Sequence, residues 1–167
     1  TEPVSLTEAK AWLRVESGND EDALISSLIA ASRTRAEWHT GRAFVTQGWT
    51  LWLDRSPACI ELPLAPLQAV TAVTLHGADG EERLLDTDDY AVSGQHLLLA
   101  QPPSGLRARD GIAIAFTAGY GGADDVPAPI GQAILQILAS LYEHRGGDNA
   151  PTPDSALALL APYRSLK

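Results

Sequence analysis

The densest group of side chains that could do chemistry is the carboxylate cluster of Asp86, Asp88 and Asp89. Closely spaced carboxylates are typical of calcium loops and of metal-assisted hydrolytic sites. This cluster lacks the central glycine and the distal bidentate glutamate of the helix–loop–helix calcium motif. We therefore interpret it as the solvated end of a β-hairpin. A metal-dependent hydrolase that uses Asp86–Asp89 is kept as the weakest of three functional hypotheses.

Other reactive residue types show no catalytic spacing. Residues 119–122, Gly-Tyr-Gly-Gly, lack the Lys-Ser/Thr of a phosphate loop and the spacing of a dinucleotide fingerprint. Cys59 follows Pro57 and Ala58, which favours a structural thiol, and no serine lies in a Gly-x-Ser-x-Gly pattern. The scattered histidines share no metal-ligand spacing: His39, His76, His96 and His144. We predict no catalytic residue, no metal site and no cofactor.

Composition and charge exclude several classes of protein. With 167 residues and 45% hydrophobic content, the chain is typical of one globular domain. Its net charge is −9, and no basic stripe is available to displace the counterions of a nucleic acid backbone. No apolar run approaches the roughly 20 residues that span a bilayer. We expect an intracellular origin, no membrane association and no internal disulfide, since Cys59 is the single cysteine.

Apolar spacing predicts three main helices. Ser5 and Glu8 form a capping-box pattern at the start of a helix over residues 5–15. A second helix, over 20–40, follows Asn19 or Asp20 as its cap and ends at Gly41. The third, over 127–145, has the widest apolar stripe, which we expect to pack on the first two helices. That stripe contains Ile130, Ile134, Ile137, Leu138, Leu141 and Tyr142.

Residues 43–118 have a different pattern, with short runs of β-branched and aromatic residues separated by turn residues. This block predicts about six to eight strands, of which 112–117 is the clearest. Helices and strands that are segregated along the chain indicate the α+β class: a helical bundle with a central block of short antiparallel strands. Residues 1–145 form the predicted main domain. Residues 146–167 form a Gly/Pro-rich linker and a C-terminal arm with a short helix capped by Asp154 or Ser155.

Two tryptophans on the first predicted strand suggest a binding surface. Trp49 and Trp52 are three residues apart, so a regular strand points them to opposite faces. One of them could face outward, onto another subunit or a ligand, although burial of both within the chain is an equal alternative. The second functional hypothesis is therefore a small-ligand or carbohydrate-binding β-module with a tryptophan as its stacking platform.

Several spaced motifs together resemble a known family. They are Leu6-x-x-Ala9-Lys10-x-x-Leu13-Arg14-Val15, Leu24-Ile25-x-x-Leu28-Ile29, Glu37, Gly41-Arg42, Leu62-Pro63-x-x-Pro66-Leu67-x-x-Val70, Ala118-Gly119-Tyr120-Gly121, Val126-Pro127-x-x-Ile130-x-x-Ala133-Ile134-Leu135 and Tyr142-Glu143-x-Arg145. In their order and spacing, over residues 5–145, they resemble the head–tail connector (adaptor) proteins of tailed phages and of phage-derived gene transfer agents.

The resemblance implies a non-enzymatic structural subunit and supplies the leading hypothesis. Such connectors form a ring, typically dodecameric, beneath the portal protein, and a tail or stopper protein docks on the opposite face. The subunit would be assembled in the bacterial cytoplasm and would lie at the head–tail junction of the virion or phage-like particle. Genomic DNA would pass through the ring without sequence-specific binding, and an acidic chain suits such a channel because it repels DNA. The resemblance also assigns portal docking to the C-terminal arm, through Leu157, Leu159, Leu160, Tyr163 and Arg164.

Overall fold

A computed structural model of the chain describes residues 2–15, 18–144 and 150–165. Its described residues form four α-helices and seven β-strands, which confirms the predicted α+β class. The helices are α1 (Leu6–Leu13), α2 (Asp22–Thr40), α3 (Ala128–Glu143) and α4 (Asp154–Leu160). The strands are β1 (Gln47–Leu53), β2 (Ile60–Glu61), β3 (Leu67–His76), β4 (Glu82–Leu84), β5 (Tyr90–Ser93), β6 (His96–Leu99) and β7 (Ile112–Ala118).

The chain packs as two compact units. The helical unit comprises Thr1–Val45 and Tyr120–Lys167, and the strand unit comprises Thr46–Gly119. By packing, therefore, the boundaries lie on either side of the strand block, and residues 150–165 belong to the helical unit together with α1–α3. The sequence-based division into a main domain, residues 1–145, and a C-terminal docking arm, residues 146–167, is a separate, functional division and stays a prediction.

Local sequence signals explain where the first two helices begin and end. The Ser5 hydroxyl accepts the Glu8 N–H at 3.2 Å and the Glu8 carboxylate accepts the Ser5 N–H at 2.8 Å, which confirms the predicted capping box. Gly41 ends α2 with a φ of 68°, also as predicted. The predicted cap of α2 is wrong, because Glu21 occupies the N-cap position and no side chain caps it. The adjacent Asp22 carboxylate instead contacts the Lys10 ammonium at 2.6 Å.

The capping box gives a prediction for the acid range. Hydrogen bonds from the Ser5 side chain and backbone lower the pKa of Glu8 below its ordinary value of 4.5. A carboxyl group with a lowered folded-state pKa stabilises the fold above its unfolded pKa, and that contribution is lost as the pH falls through the folded pKa. We expect Glu8→Gln to lower the midpoint of urea denaturation at pH 7, and we expect this difference to shrink progressively as the pH falls below 4.5. Glu81→Gln, at an exposed carboxylate of the strand unit, is the control; an equal, pH-independent effect of both variants would contradict the prediction.

The core of the helical unit is built around α3. Pro127 occupies the N-cap and α3 ends at Glu143, close to the predicted bounds of 127–145. Arg145, the last residue of the predicted range, lies outside the described residues. The buried apolar cluster confirms that the α3 stripe packs with α1 and α2. It contains Val4, Ala9, Ile25, Ile29, Ala36, Phe44, Ile130, Ala133, Ile134, Ile137, Leu138, Ala156 and Leu160.

The strand unit contains two antiparallel sheets among its described residues. One has the order β1-β7-β3-β4 and the other the order β2-β6-β5. β7 is central in the larger sheet and largely buried, as expected for the clearest predicted strand. Register places Trp49 opposite Phe116 and Trp52 opposite Ala113, which lie on opposite faces of β7, so the two tryptophans point to opposite faces, as predicted. The strand unit has buried residues of its own, including Leu62, Val73, Leu97, Ile114 and Phe116.

Candidate docking site

The C-terminal segment, defined here as residues 150–165, packs on the helical unit. α4 begins after Pro153, and the side chains of Ala156 and Leu160, one helical turn apart, are fully buried in the core cluster. The predicted cap of this helix is wrong, because neither Asp154 nor Ser155 caps it. Ser155 instead donates its hydroxyl to the Gln136 side chain at 2.6 Å.

Polar contacts at both ends hold the segment in place. Each joins a side chain or carbonyl of α2, α3 or the Gly41–Arg42 turn to the backbone of the segment. They are Arg35 to the Ala150 carbonyl (2.9 Å), Ser140 to the Pro151 carbonyl (2.7 Å), Arg42 Nε to the Tyr163 carbonyl (2.5 Å) and the Ser165 N–H to the Thr40 carbonyl (2.8 Å). Backbone groups bonded in this way fix the path of the segment independently of its side chains.

The five predicted docking residues differ in exposure. Leu160 is fully buried, and Leu159 and Tyr163 are half-buried against the same core. Leu157 is half-buried, and Arg164 is exposed. The structure therefore brings the five residues into one short segment, but it does not leave that segment as a free tether, and Leu160 is a core residue. The periodicity of α4 marked one face as apolar without showing that α3 covers it. Portal docking by this segment stays a prediction.

Two residues from the family-like motifs organise the end of α2. The Glu37 carboxylate accepts the Phe44 N–H at 2.8 Å and contacts the Arg33 guanidinium, which also reaches the Glu2 carboxylate at 2.7 Å. Burial lowers the pKa of Arg33, but the hydrogen bonds and charges of Glu2 and Glu37 raise it by more, so the net shift is upward. Glu37 therefore joins α2 to the backbone of the turn that follows it. Its role is structural.

Arg42 is the second such residue. Besides the Tyr163 carbonyl, its guanidinium reaches the Tyr120 hydroxyl at 3.4 Å. The left-handed Gly41 turns the chain so that Arg42 can make both contacts. The Gly41-Arg42 pair, which the sequence offered only as part of a resemblance, thus fastens the C-terminal segment to the helical unit.

We expect Arg42→Ala to loosen the C-terminal segment while the helical unit stays folded. A hydrogen bond to a charged donor contributes about 1.5–3 kcal/mol, which corresponds to a roughly 10- to 150-fold faster local opening. Hydrogen exchange of the Ser165 amide and of the α4 amides measures this opening. Arg55→Ala, at an exposed arginine of the strand unit, should leave both unchanged. Equal protection in Arg42→Ala and the unmodified chain would show that Arg42 does not hold the segment.

The carboxylate cluster forms a turn between the two sheets of the strand unit. Asp86 is the N-cap of a 3₁₀ turn, Thr87–Asp89, and its N–H donates to the Asp89 carboxylate at 3.3 Å. The turn leads from β4 in one sheet to β5 in the other, so the predicted hairpin end is wrong. Among the described residues, no group of three or more His, Cys, Asp or Glu side chains is placed to hold a metal ion.

A cavity of about 690 Å³ lies beside this turn in the strand unit. Its lining includes Asp79, Glu81, Asp86 and Asp89 and several leucines, but neither Trp49 nor Trp52. A stacking platform has to border the space that its ligand fills. This cavity therefore offers no tryptophan platform for the hypothesised carbohydrate-binding module.

The exposed tryptophans are the surface features that most clearly suggest a partner. Trp49 and Trp52 are 43% and 48% exposed, so both faces of β1 present aromatic surface, and Trp52 also packs against His76 with ring centroids 5.5 Å apart. Sequence reasoning missed Trp38, which is 86% exposed on α2. Helical periodicity could have found it, because Trp38 lies off the stripe that contains Ile29 and Ala36.

A model of one protein family matches residues 3–91, more than half of the chain, and its description is "Phage gp6-like head-tail connector protein". The chain belongs to this family. The finding confirms the resemblance inferred from the spaced motifs, and it gives the connector a structural role at the head–tail junction of a phage-type particle. No curated protein matches the chain. No described helix has the length and apolarity needed to cross a membrane.

Solved structures similar to the connector come from gene transfer agent particles. One chain, from the neck of an empty particle computed with C6 symmetry, has 27% identity and a TM-score of 0.82 over 99% of this chain and 91% of that chain. A chain from the virion of a native particle has 25% identity and a TM-score of 0.77 over the same shares. A third, from the neck of a native particle computed with C12 symmetry, has 27% identity and a TM-score of 0.75 over 95% and 88%.

Proposed function

We propose that this connector is the ring-forming adaptor between the portal and the tail of a phage or gene transfer agent particle. The observation that carries the proposal is the TM-score of 0.82 with a neck chain, over 99% of this chain. A likeness that extends through both units and the C-terminal segment supports the same structural task, because the whole subunit is shared and not one fragment of it.

A closed ring is supported by the symmetry of those neck assemblies. Chains in assemblies with C6 or C12 symmetry meet head to tail, so that two different patches of each copy form every interface. We propose the same arrangement here, as a dodecamer, with each interface above the ~1,000 Å² expected of a specific contact. The net charge of −9 supports DNA passage through such a ring without adhesion, since the surface repels phosphates.

We further propose that the C-terminal segment docks on the portal. Arg164 is exposed and Leu157 is half-buried, so these two side chains are available while Leu160 stays in the core. Leu159 and Tyr163 could contribute their outer surfaces without leaving the helical unit. In this arrangement the helical unit holds the docking surface rigidly, which reduces the entropy lost on binding.

We expect Arg164→Glu to spare folding and to reduce incorporation of the connector into particles. Reversal of an exposed charge at an interface typically weakens association by at least about tenfold. Arg55→Glu, a matched charge reversal in the strand unit, should be incorporated normally. Quantitative immunoblotting of purified particles measures both variants. Equal incorporation of the two would remove Arg164 from the proposed docking surface.

Loss of the whole connector tests the proposed function in the producing cell. An adaptor that joins head to tail is needed after the head has formed, so its deletion should leave DNA-filled heads and free tails. Electron microscopy of the lysate would show these separate structures, and expression of the intact chain should restore joined particles. Normal tailed particles from the deletion strain would contradict the proposal.

A further inference from the structure

The larger sheet of the strand unit has two open edges of equal length. β1 borders the sheet and pairs with β7 alone among the described strands. Among the described strands, β4 pairs only with Thr74–His76 of β3, and the Leu85 N–H donates to the Val73 carbonyl. Within the part of the chain that the structure describes, no strand covers the outer side of residues 48–53, the β1 edge, or of residues 67–72, the β3 edge.

Neither edge carries the charges or prolines that commonly protect exposed strands. The two sequences, Gly-Trp-Thr-Leu-Trp-Leu and Leu-Gln-Ala-Val-Thr-Ala, contain no charged residue and no proline. The other border strands are short, and two of them are charged: β2 has two residues including Glu61, and β4 has three including Glu82 and Arg83. Exposed, uncharged edges of six residues invite pairing with another chain. In a stable protein such edges are expected to be covered.

We propose that the β1 edge of one connector pairs with the β3 edge of the next copy, so that one sheet continues across each interface of the ring. The inference rests on the ring proposed above and names the surface that closes it. The two edges are different surfaces of one chain, as a head-to-tail contact requires. Six paired residues extend over about 20 Å, and alternate residues of each strand form backbone hydrogen bonds that an exposed edge leaves to water.

The topology determines the direction of this pairing. β1 and β3 both run antiparallel to β7, so they run parallel to each other. Under C12 symmetry the next copy is rotated by ~30°, which keeps its β1 within about that angle of the first copy's β1. The joined edges must therefore pair in parallel. Register shifts in β3 between Leu67 and Ala69 and between Val70 and Ala72 bend this edge, and such a bend is needed to curve a sheet around a ring.

The side chains on one face of the two edges are complementary. Register places Trp52 and Thr50 on the same face as Ala69 and Ala72 of β3. Trp52 is about half exposed, and the two alanines leave an open, shallow surface on the β3 edge. In a shared sheet Thr50 of one copy would lie beside the alanines of the next, while Trp52 stays against His76 of its own chain. Side chains as small as these pair across strands without overpacking.

Cysteine cross-linking in assembled particles tests the pairing. Two double-cysteine variants are made in a Cys59→Ser background. One combines Thr50→Cys with Ala69→Cys, and the other combines Thr50→Cys with Ala72→Cys to allow for a shifted register. β7 separates β1 from β3 by about 9–10 Å within one chain, beyond the roughly 4.4–6.8 Å that a disulfide requires between Cα atoms. Any disulfide must therefore join two separate chains. On a non-reducing gel, we expect the double variants to give a ladder of covalent dimers, trimers and higher oligomers of the connector. The single-cysteine variants should give no ladder. Neither should Thr50→Cys combined with Val92→Cys, because Val92 lies on the other sheet.

Lysine variants decide the question if the cysteine variants are not incorporated. Thr50→Lys and Thr71→Lys each place a charge on one edge, and each should reduce the connector content of particles at least about tenfold. Thr87→Lys, the same change at an exposed position away from both edges, should have no effect. Normal incorporation of both edge variants would overturn the proposal.

The outcomes separate this inference from the proposed function. Rings in which neither cysteine pair forms a ladder would overturn the edge pairing and leave the adaptor function intact. Cross-links from these cysteines to a protein other than the connector would also overturn it, in favour of a different occupant of the edge. Normal particles in which even the unmodified connector is absent would overturn both.

Discussion

Ile134→Ala is expected to lower the free energy of unfolding of the helical unit by about 2–5 kcal/mol, the usual range for truncating a large buried aliphatic side chain. Ile134 is fully buried in the middle of α3, within the cluster that also contains Ile25 of α2 and Leu160 of α4. Truncation of its side chain leaves a cavity that could close only if the three helices all shifted toward it. Packing density in a protein core makes such a collapse incomplete.

Urea denaturation followed by far-UV circular dichroism measures this loss. Gln132→Ala, on the same helix but outside the buried cluster, is the matched control and should change stability by less than about 0.5 kcal/mol. An equal effect of the two variants would mean that the α3 stripe is not the centre of the core.

Truncation before residue 150 is expected to destabilise the helical unit by an amount at least comparable to the Ile134 variant. The deletion removes Ala156 and Leu160 from the core and exposes the α3 surface that they cover. Loss of the Leu160 side chain alone should cost about 2–5 kcal/mol. If the segment were only a tethered arm, its deletion would leave folding unchanged, so the expected result is the opposite.

Two point variants separate stability from docking in this segment. Leu160→Ala should lower the denaturation midpoint and raise susceptibility to limited proteolysis, and Arg164→Glu should leave both unchanged. A truncated chain as stable as the intact one would show that the packing of α4 contributes nothing to the fold. In that case the proposed docking surface would be a freely tethered arm.

The parts of the fold that sequence predicted depend on short-range physics. Ser5 and Glu8 satisfy each other's backbone groups within one turn, and Gly41 adopts a φ that other residues avoid. The α3 stripe recurs with helical spacing over 16 residues, so its burial could be inferred. Each of these signals lies within one continuous stretch of sequence.

The parts that sequence did not predict depend on contacts distant along the chain. The apolar face of α4 looks the same whether α3 or another protein covers it, so the sequence does not reveal that Leu160 is buried in the core. The acidic cluster at 86–89 joins two sheets, and no local pattern distinguishes that connection from a hairpin. The two open strand edges follow from strand order, which short-range patterns leave undetermined.

A density map of the assembled particle's neck tests the central claim most directly. We predict a ring of connector copies between portal and tail, with the C-terminal segment toward the portal and each β1 running parallel to β3 of the neighbouring copy. A complete neck whose density contains no copy of this chain would contradict the account.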